Sequence, residues 1–258
     1  MKSTYSSILI CFTSALSFSQ IQLPHPNAHA HNDYEHGRPL LDALHNGFVS
    51  VEADVHLQDG ELFVSHNSPG KKALSIEKLY LFPLDSILNI NSGRIYPISD
   101  QPFFFMIDIK TEGEATYRAI QQAISQYPAL RCARGNCPIK VFLSGNRPAM
   151  TETENDMGIG MDGRPDDLGK GHSPELMPVI SDHFKNWSMW NGKSKPSFED
   201  LHRVRELAKR VHAEKKLLRL WAIPDSELAW AALLEAGVDL INTDHLRELN
   251  YFLNQKGL

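Results

Sequence analysis

Eight short runs rich in β-branched or aromatic residues recur down this chain, with helical patterns between several of them. The predicted strands are 27–31, 48–56, 102–110, 140–144, 158–162, 178–181, 217–223 and 240–243. The helical patterns are 40–46, 114–127, 198–215, 226–236 and 246–254. The fourth of these has a start signal in Pro224-Asp225-Ser226 and a stop at Gly237. Strands that alternate with helices pair in parallel through right-handed crossovers. Eight such units within 258 residues predict an α/β fold, a closed (β/α)8 TIM barrel rather than an open doubly wound sheet. No repeat, linker or composition shift marks a boundary, so residues 20–258 are expected to form one domain. The Gly-, Asp- and Pro-rich text of 151–173 reads as loops at the functional end of the barrel.

Residues 1–19 read as an export signal peptide. Lys2 supplies the positive start, an apolar stretch runs from Ile8 to Phe18, and Ser17-Phe18-Ser19 offers a cleavage site that leaves Gln20 first. The stretch falls short of the roughly 20 apolar residues that span a bilayer. A lipoprotein signal ending at Cys11 is disfavoured by the bulky Ile10. The expected location is therefore periplasmic or secreted. In that setting Cys132 and Cys137, in one Gly-containing loop, suggest a local disulfide. Two cysteines with no nearby Cys or His partner would make only half a zinc site. The net charge of -5 comes with no basic stripe and gives no reason to expect nucleic acid.

Placement of polar groups on the strands carries the functional signal. In Val49-Ser50-Val51-Glu52-Ala53-Asp54-Val55-His56, the valines and Ala53 share one parity. Glu52 and Asp54 share the other, so they project together from one face. Two adjacent carboxylates repel unless a cation or donor sits between them. The next long strand is apolar until Asp108 and Lys110, again two apart. Three carboxylates favour a hard cation, Mg2+ or Ca2+, over zinc. Lys110 adds a point charge for a phosphoryl oxygen. His31 ends the first strand and His66 follows the short strand in Glu61-Leu62-Phe63-Val64. Both fall at C-terminal strand ends, where barrel active sites are built. Histidine titrates near neutral pH, as acid–base cleavage of a phosphodiester requires.

Taken singly, these features have plainer readings. A Glu-x-Asp pair is more often a solvated strand face, and a histidine after a strand is more often a satisfied loop residue. Their order along successive strands is what favours function. Around them, Arg147 or Arg164 could hold a phosphate or form loop salt bridges. Asp162 and Asp244 sit at strand ends, and Asp244 could contact a substrate or cap the last helix. His29 shares the parity of His31 and could support it or replace it. Asn32 and Asn67 could donate to phosphate, and His56 is placed at the rim. Trp187 and Trp190 could form a substrate lip or a packed loop.

His31, Glu52-x-Asp54, Asp59-Gly60 and His66-Asn67 resemble the glycerophosphodiester phosphodiesterase signature. The match covers residues 31–110, under half of the chain after signal removal. Near the end, Leu220-Trp221-Ala222-Ile223 resembles the family's late strand with its site-facing Trp. The stretch from Gly237 to Asp244 resembles its final-strand motif. Two departures are visible. The usual His-Arg-Gly opening is replaced by His31-Asn32-Asp33, and the third acid is Asp108 instead of Glu. Asp108-x-Lys110 is closer to the sphingomyelinase D branch. Ala30-His31-Asn32-Asp33-Tyr34 looks most like proteins named for altered inheritance of mitochondria. The resemblance implies a (β/α)8 barrel that cleaves a glycerophosphodiester or lysophospholipid. It implies His31 and His66 as the catalytic pair and Glu52, Asp54 and Asp108 as metal ligands. Lys110, Trp221, Arg164, Asn32 and Asp244 are expected at the substrate. Attack by water, by a histidine, or by a substrate hydroxyl to give a cyclic phosphate all remain open. So do a barrel hydrolase of another class and a non-catalytic phospho-ligand binding module. The partner is expected to be a small phosphodiester or phospholipid-derived molecule met by a monomer, with room for transient contact with a membrane surface.

Overall fold

The computed structural model describes residues 23–131, 137–149 and 157–258. The expected signal peptide, 1–19, lies outside them, as do Cys132 and part of 151–173. Cys137 is disulfide-bonded.

All eight predicted barrel strands form. They are β1 (His25–Ala30), β2 (Phe48–Gln58), β5 (Phe103–Ile109), β6 (Ile139–Gly145), β7 (Gly160–Gly163), β8 (Val179–His183), β9 (Leu217–Trp221) and β10 (Leu240–Thr243). Each pairs in parallel with the next around the ring, and β1 pairs with both β10 and β2, so the sheet closes. Closure removes the exposed edges that an open sheet would leave. The five helical patterns appear as α1 (Leu41–His45), α3 (Gly113–Ser125), α4 (Phe198–Ala213), α5 (Glu227–Glu235) and α6 (Leu246–Lys256). Ser226 accepts from the Ala229 amide as the start of α5, and Gly237 follows its end at φ 90.

One element departs from the expectation. Helix α2 (Phe82–Ile90), led in by a π-helical turn at Glu77–Leu81, was not expected. Pro83 looks like a breaker, but it falls in the first turn, where no amide partner is lost. The short strand expected at Glu61–Val64 forms, as part of a hairpin. Strand β2 runs past the barrel and folds back as β3 (Glu61–Val64), which pairs with β4 (Leu74–Ser75). Its two-residue turn, Asp59-Gly60, has φ of 52 and 84, which suits Gly and tolerates Asp.

Two apolar regions form, and their separation places the site. The outward residues of the strands, such as Val49, Val51, Ala53 and Val55 on β2, pack under the helices in the main core. Inside the barrel a second cluster holds Phe104, Met106, Phe142, Val179 and Leu240. It fills the barrel at the level of the early inward positions. The next inward residues on the same strands are polar: Asp108 after Met106, Ser144 after Phe142, Asn242 after Leu240. The barrel is therefore plugged below and polar above, at the C-terminal strand ends.

Candidate active site

Parallel register sets the acids side by side. Asp54 pairs with Asp108 across β2 and β5, and Asp108 with Ser144 across β5 and β6. Ligand oxygens of Glu52, Asp54 and Asp108 all lie within 4.8 Å of one another. Oδ2 of buried Asp54 accepts from the Tyr34 hydroxyl at 2.9 Å and the His66 ring at 2.9 Å, and meets Lys110 Nζ at 3.1 Å. Its Oδ1 is buried with no partner. Lys110 also reaches Asp108 at 3.4 Å. Burial raises the Asp108 carboxyl to about 6; Lys110 opposes this, while the charges of Glu52 and Asp54 add to it. A crowded acid trio with an orphaned, buried carboxylate oxygen fits a hard cation, which would satisfy that oxygen and relieve the repulsion. Gly145, at φ 65, lies so close to Asp108 Oδ1 and the Ile109 carbonyl that a Cβ would collide with both.

Beneath the trio stands a residue the sequence reading missed. Arg219, on the inward face of β9, donates from Nη2 to Glu52 at 2.7 Å and from Nε to His29 at 3.1 Å and Asn242 at 3.0 Å. Its parity with Trp221, two residues on, was the available signal. Burial opposes the ionisation of Glu52, yet the Arg219 charge holds its carboxyl down to about 2. Burial, then the charge of Arg219, holds His29 down to about 4. Because an arginine can only donate, His29 Nε2 accepts from Arg219 and does not also donate to Glu52, 3.4 Å away. The His29 proton then sits on Nδ1, directed to Ser50 Oγ at 2.7 Å. His29 is fully buried and does not line the cavity, so it supports the site from behind.

Above this layer opens a cavity of about 310 Å³. His31, Asn32, Glu52, His66, Asp108, Lys110, Arg164 and Trp221 all line it, and Asp54 stands just behind. The His31 ring is bonded at Nδ1 to Asp244 at 2.8 Å. Burial would lower the His31 imidazole, but the Asp244 bond and the charge of Glu52 outweigh it and hold it above the ordinary histidine value. Asp244, expected at the substrate, is bonded to His31 and does not line this cavity, and α6 has no side-chain cap. Arg164 is held by Asp162 at 2.7 Å and neighbouring carbonyls, with Ser144 on the same carboxylate at 2.8 Å. Trp221 stands at the rim with its ring edge-on to His183, centroids 4.2 Å apart. Trp190 is packed into its loop, donating to the Ser194 carbonyl, and Trp187 donates to Asp182. Arg147 does not line the cavity.

The family model for an AIM6-like phosphodiesterase domain matches residues 18–133, and that of the glycerophosphoryl diester phosphodiesterase family matches residues 218–247. Among curated relatives, altered inheritance of mitochondria protein 6 of Eremothecium gossypii is 27% identical, covering 87% of this chain and 68% of that protein. Its Saccharomyces cerevisiae counterpart is 24% identical over 84% of this chain and 68% of that protein. Among solved structures, a glycerophosphodiester phosphodiesterase from Agrobacterium tumefaciens matches the fold with a TM-score of 0.50. It is 12% identical, covering 89% of this chain and all of that one. The chain resembles the PLC-like phosphodiesterase superfamily. The first matched stretch holds His31, the acid trio, His66 and Lys110, and the second holds Arg219, Trp221 and Asp244. Ser144, Asp162 and Arg164 lie outside both matches, in the wall that neither family model reaches.

Proposed function

We propose that this protein is a divalent-metal-dependent phosphoric diester hydrolase acting on a glycerophosphodiester or lysophospholipid. The observation that carries the reading is one cavity lined by two histidines, Glu52, Asp108 and Lys110, with Asp54 beside the two acids just behind it. Both histidines are bonded through Nδ1 to a carboxylate, His31 to Asp244 and His66 to Asp54. Carboxylates only accept, so each Nδ1 carries the proton and each Nε2 is the reacting atom. One Nε2, unprotonated, takes a proton from the attacking hydroxyl, and the other, on a histidine protonated at both nitrogens, delivers one to the leaving oxygen. Glu52, Asp54 and Asp108 would hold Mg2+ or Ca2+, which when bound offsets negative charge on the phosphoryl oxygens. Lys110 adds a donor to the same oxygens, and Trp221 at the rim offers an apolar wall to the alcohol portion.

The test is product release from a panel of glycerophosphodiesters, lysophospholipids and sphingomyelin, with Mg2+, Ca2+ or EDTA, beside His31→Ala and Glu52→Ala. Metal-dependent cleavage lost in both variants is expected. A linear product fixes the enzyme as a hydrolase, and a cyclic phosphate as a lyase. No cleavage of any diester by folded, metal-loaded protein would remove this reading. The apolar stretch from Ile8 to Phe18 supports export. Recovery of the chain from cell-free medium or periplasm, starting at Gln20, checks it.

A further inference from the structure

Arg219 is the inward residue of β9 just below Trp221, and it keeps only 3% of its surface exposed. A charged side chain this deep needs partners for its donors. One edge of the guanidinium is fixed: Nε to His29 and Asn242, Nη2 to Glu52. Nη1 takes part in none of these bonds, and Arg219 lines the cavity. Holding one carboxylate is a weak reason to bury an arginine, because desolvation largely cancels what such a pair contributes. We propose that Arg219 is a phosphate-binding residue, whose remaining edge donates to a phosphoryl oxygen of the substrate. The proposal rests on the phosphodiester reading above and assigns a residue to it.

Charge balance supports it. The acids at the cavity are Glu52, Asp54, Asp108 and Asp162, and the fixed bases are Lys110, Arg164 and Arg219. Arg164 is closed on Asp162. With a divalent cation in the acid trio, Lys110 balances the third carboxylate. Arg219 is then the one surplus positive charge, and a phosphodiester carries one negative charge. An arginine is suited to the task, since it stays charged at every working pH and presents a planar fork to phosphate oxygens. Its three acceptors hold it in place before substrate arrives, so the donors need no reorganisation.

The experiment is calorimetric titration of the full chain with inorganic phosphate, in saturating Mg2+ and separately in EDTA. Wild type, Arg219→Met and Arg219→Lys are compared, with Mg2+ titrated into each and melting followed. Phosphate affinity is expected to fall roughly tenfold or more in Arg219→Met, with Mg2+ still bound. Added guanidinium ion should restore part of that loss and leave wild type unchanged. Undiminished phosphate affinity in Arg219→Met overturns the proposal, as does joint loss of Mg2+ and phosphate without rescue, which would leave Arg219 as a prop for Glu52. Absence of phosphate binding by wild type in both conditions also overturns it. Should Arg219→Met fail to fold, Arg219→Lys decides: it keeps the charge and loses the fork, and unchanged phosphate affinity in it refutes the assignment. Turnover of the diester panel by wild type separates the two readings. No turnover, with phosphate binding lost in the variant, fails the phosphodiesterase reading alone. Turnover with phosphate affinity and KM unaffected fails the Arg219 assignment alone.

Discussion

His31 owes its orientation to Asp244, a residue 213 positions away in sequence. Asp244→Asn is expected to lower kcat by roughly 10²-fold or more, with KM changed little, because the amide can turn the imidazole to the wrong tautomer. Steady-state kinetics on whichever diester is cleaved checks this; unchanged kcat would mean that His31 needs no such partner. A second residue has its effect on stability. Asp33 is fully buried, accepts from the Leu40 amide at 2.5 Å and from the Tyr80 hydroxyl at 2.9 Å, and leaves Oδ1 without a partner. It thereby ties down Leu40, a non-glycine residue at φ 62. Burial pushes the Asp33 carboxyl up to about 6, against the two hydrogen bonds. A carboxyl whose folded pKa is raised favours folding in its protonated form, so this contribution is present below pH 4 and is lost as pH climbs through 6. Asp33→Asn is therefore expected to be more stable than wild type at pH 7 by about 1–2 kcal/mol, the difference shrinking toward zero at pH 4. Urea melts at the two pH values test it, and a variant less stable at pH 7 would contradict the burial argument.

The hairpin of β2 and β3 is the element that brings His66 to the acids. The Ser65 amide bonds to the Asp54 carbonyl at 3.0 Å as the chain leaves β3, and His66 then meets Asp54. Gly60 at φ 84 has open space around it, so a side chain there meets no neighbour and the cost is backbone strain alone. Gly60→Ala is expected to cost about 1 kcal/mol of local stability and to reduce kcat more than global melting would suggest. Faster amide exchange in 61–64 than in the barrel strands would confirm a local effect. Among the strands, β2 and β5 were legible from alternation, because their inward acids interrupt otherwise apolar text. Helix α2 was not legible, since Leu81, Phe82, Pro83 and Leu84 form an apolar run with a proline inside and no polar stripe to set a helical period.

At the scale of the whole molecule, the site is a consequence of closure. Eight strands in a ring place β1 beside both β2 and β10, which is how His29, Glu52, Arg219 and Asn242 come into one hydrogen-bonded layer. A cation that binds the acid trio only in the closed barrel stabilises the fold by mass action. Mg2+ or Ca2+ at ~100 times its Kd should add about 2.7 kcal/mol. A rise in melting temperature with either ion, abolished in Glu52→Gln, is the expected result; no rise with either in wild type would count against the metal reading. Sequence by itself determined the strand and helix alternation, hence the barrel. It also determined which parity of β2 and β5 faced inward, because side-chain period is a local property. Only the tertiary structure decided that Arg219 shares a cavity with Glu52, that Asp244 belongs to His31, and that Asp162 closes on Arg164 beside Ser144. The first two pairings join strands that are adjacent through ring closure or across the barrel, and a neighbour set by closure leaves no trace in the local periodicity of either strand. Asp162 on β7 and Arg164 just past its end stand two apart in sequence, but the burial that makes their pairing matter comes from the wall around them.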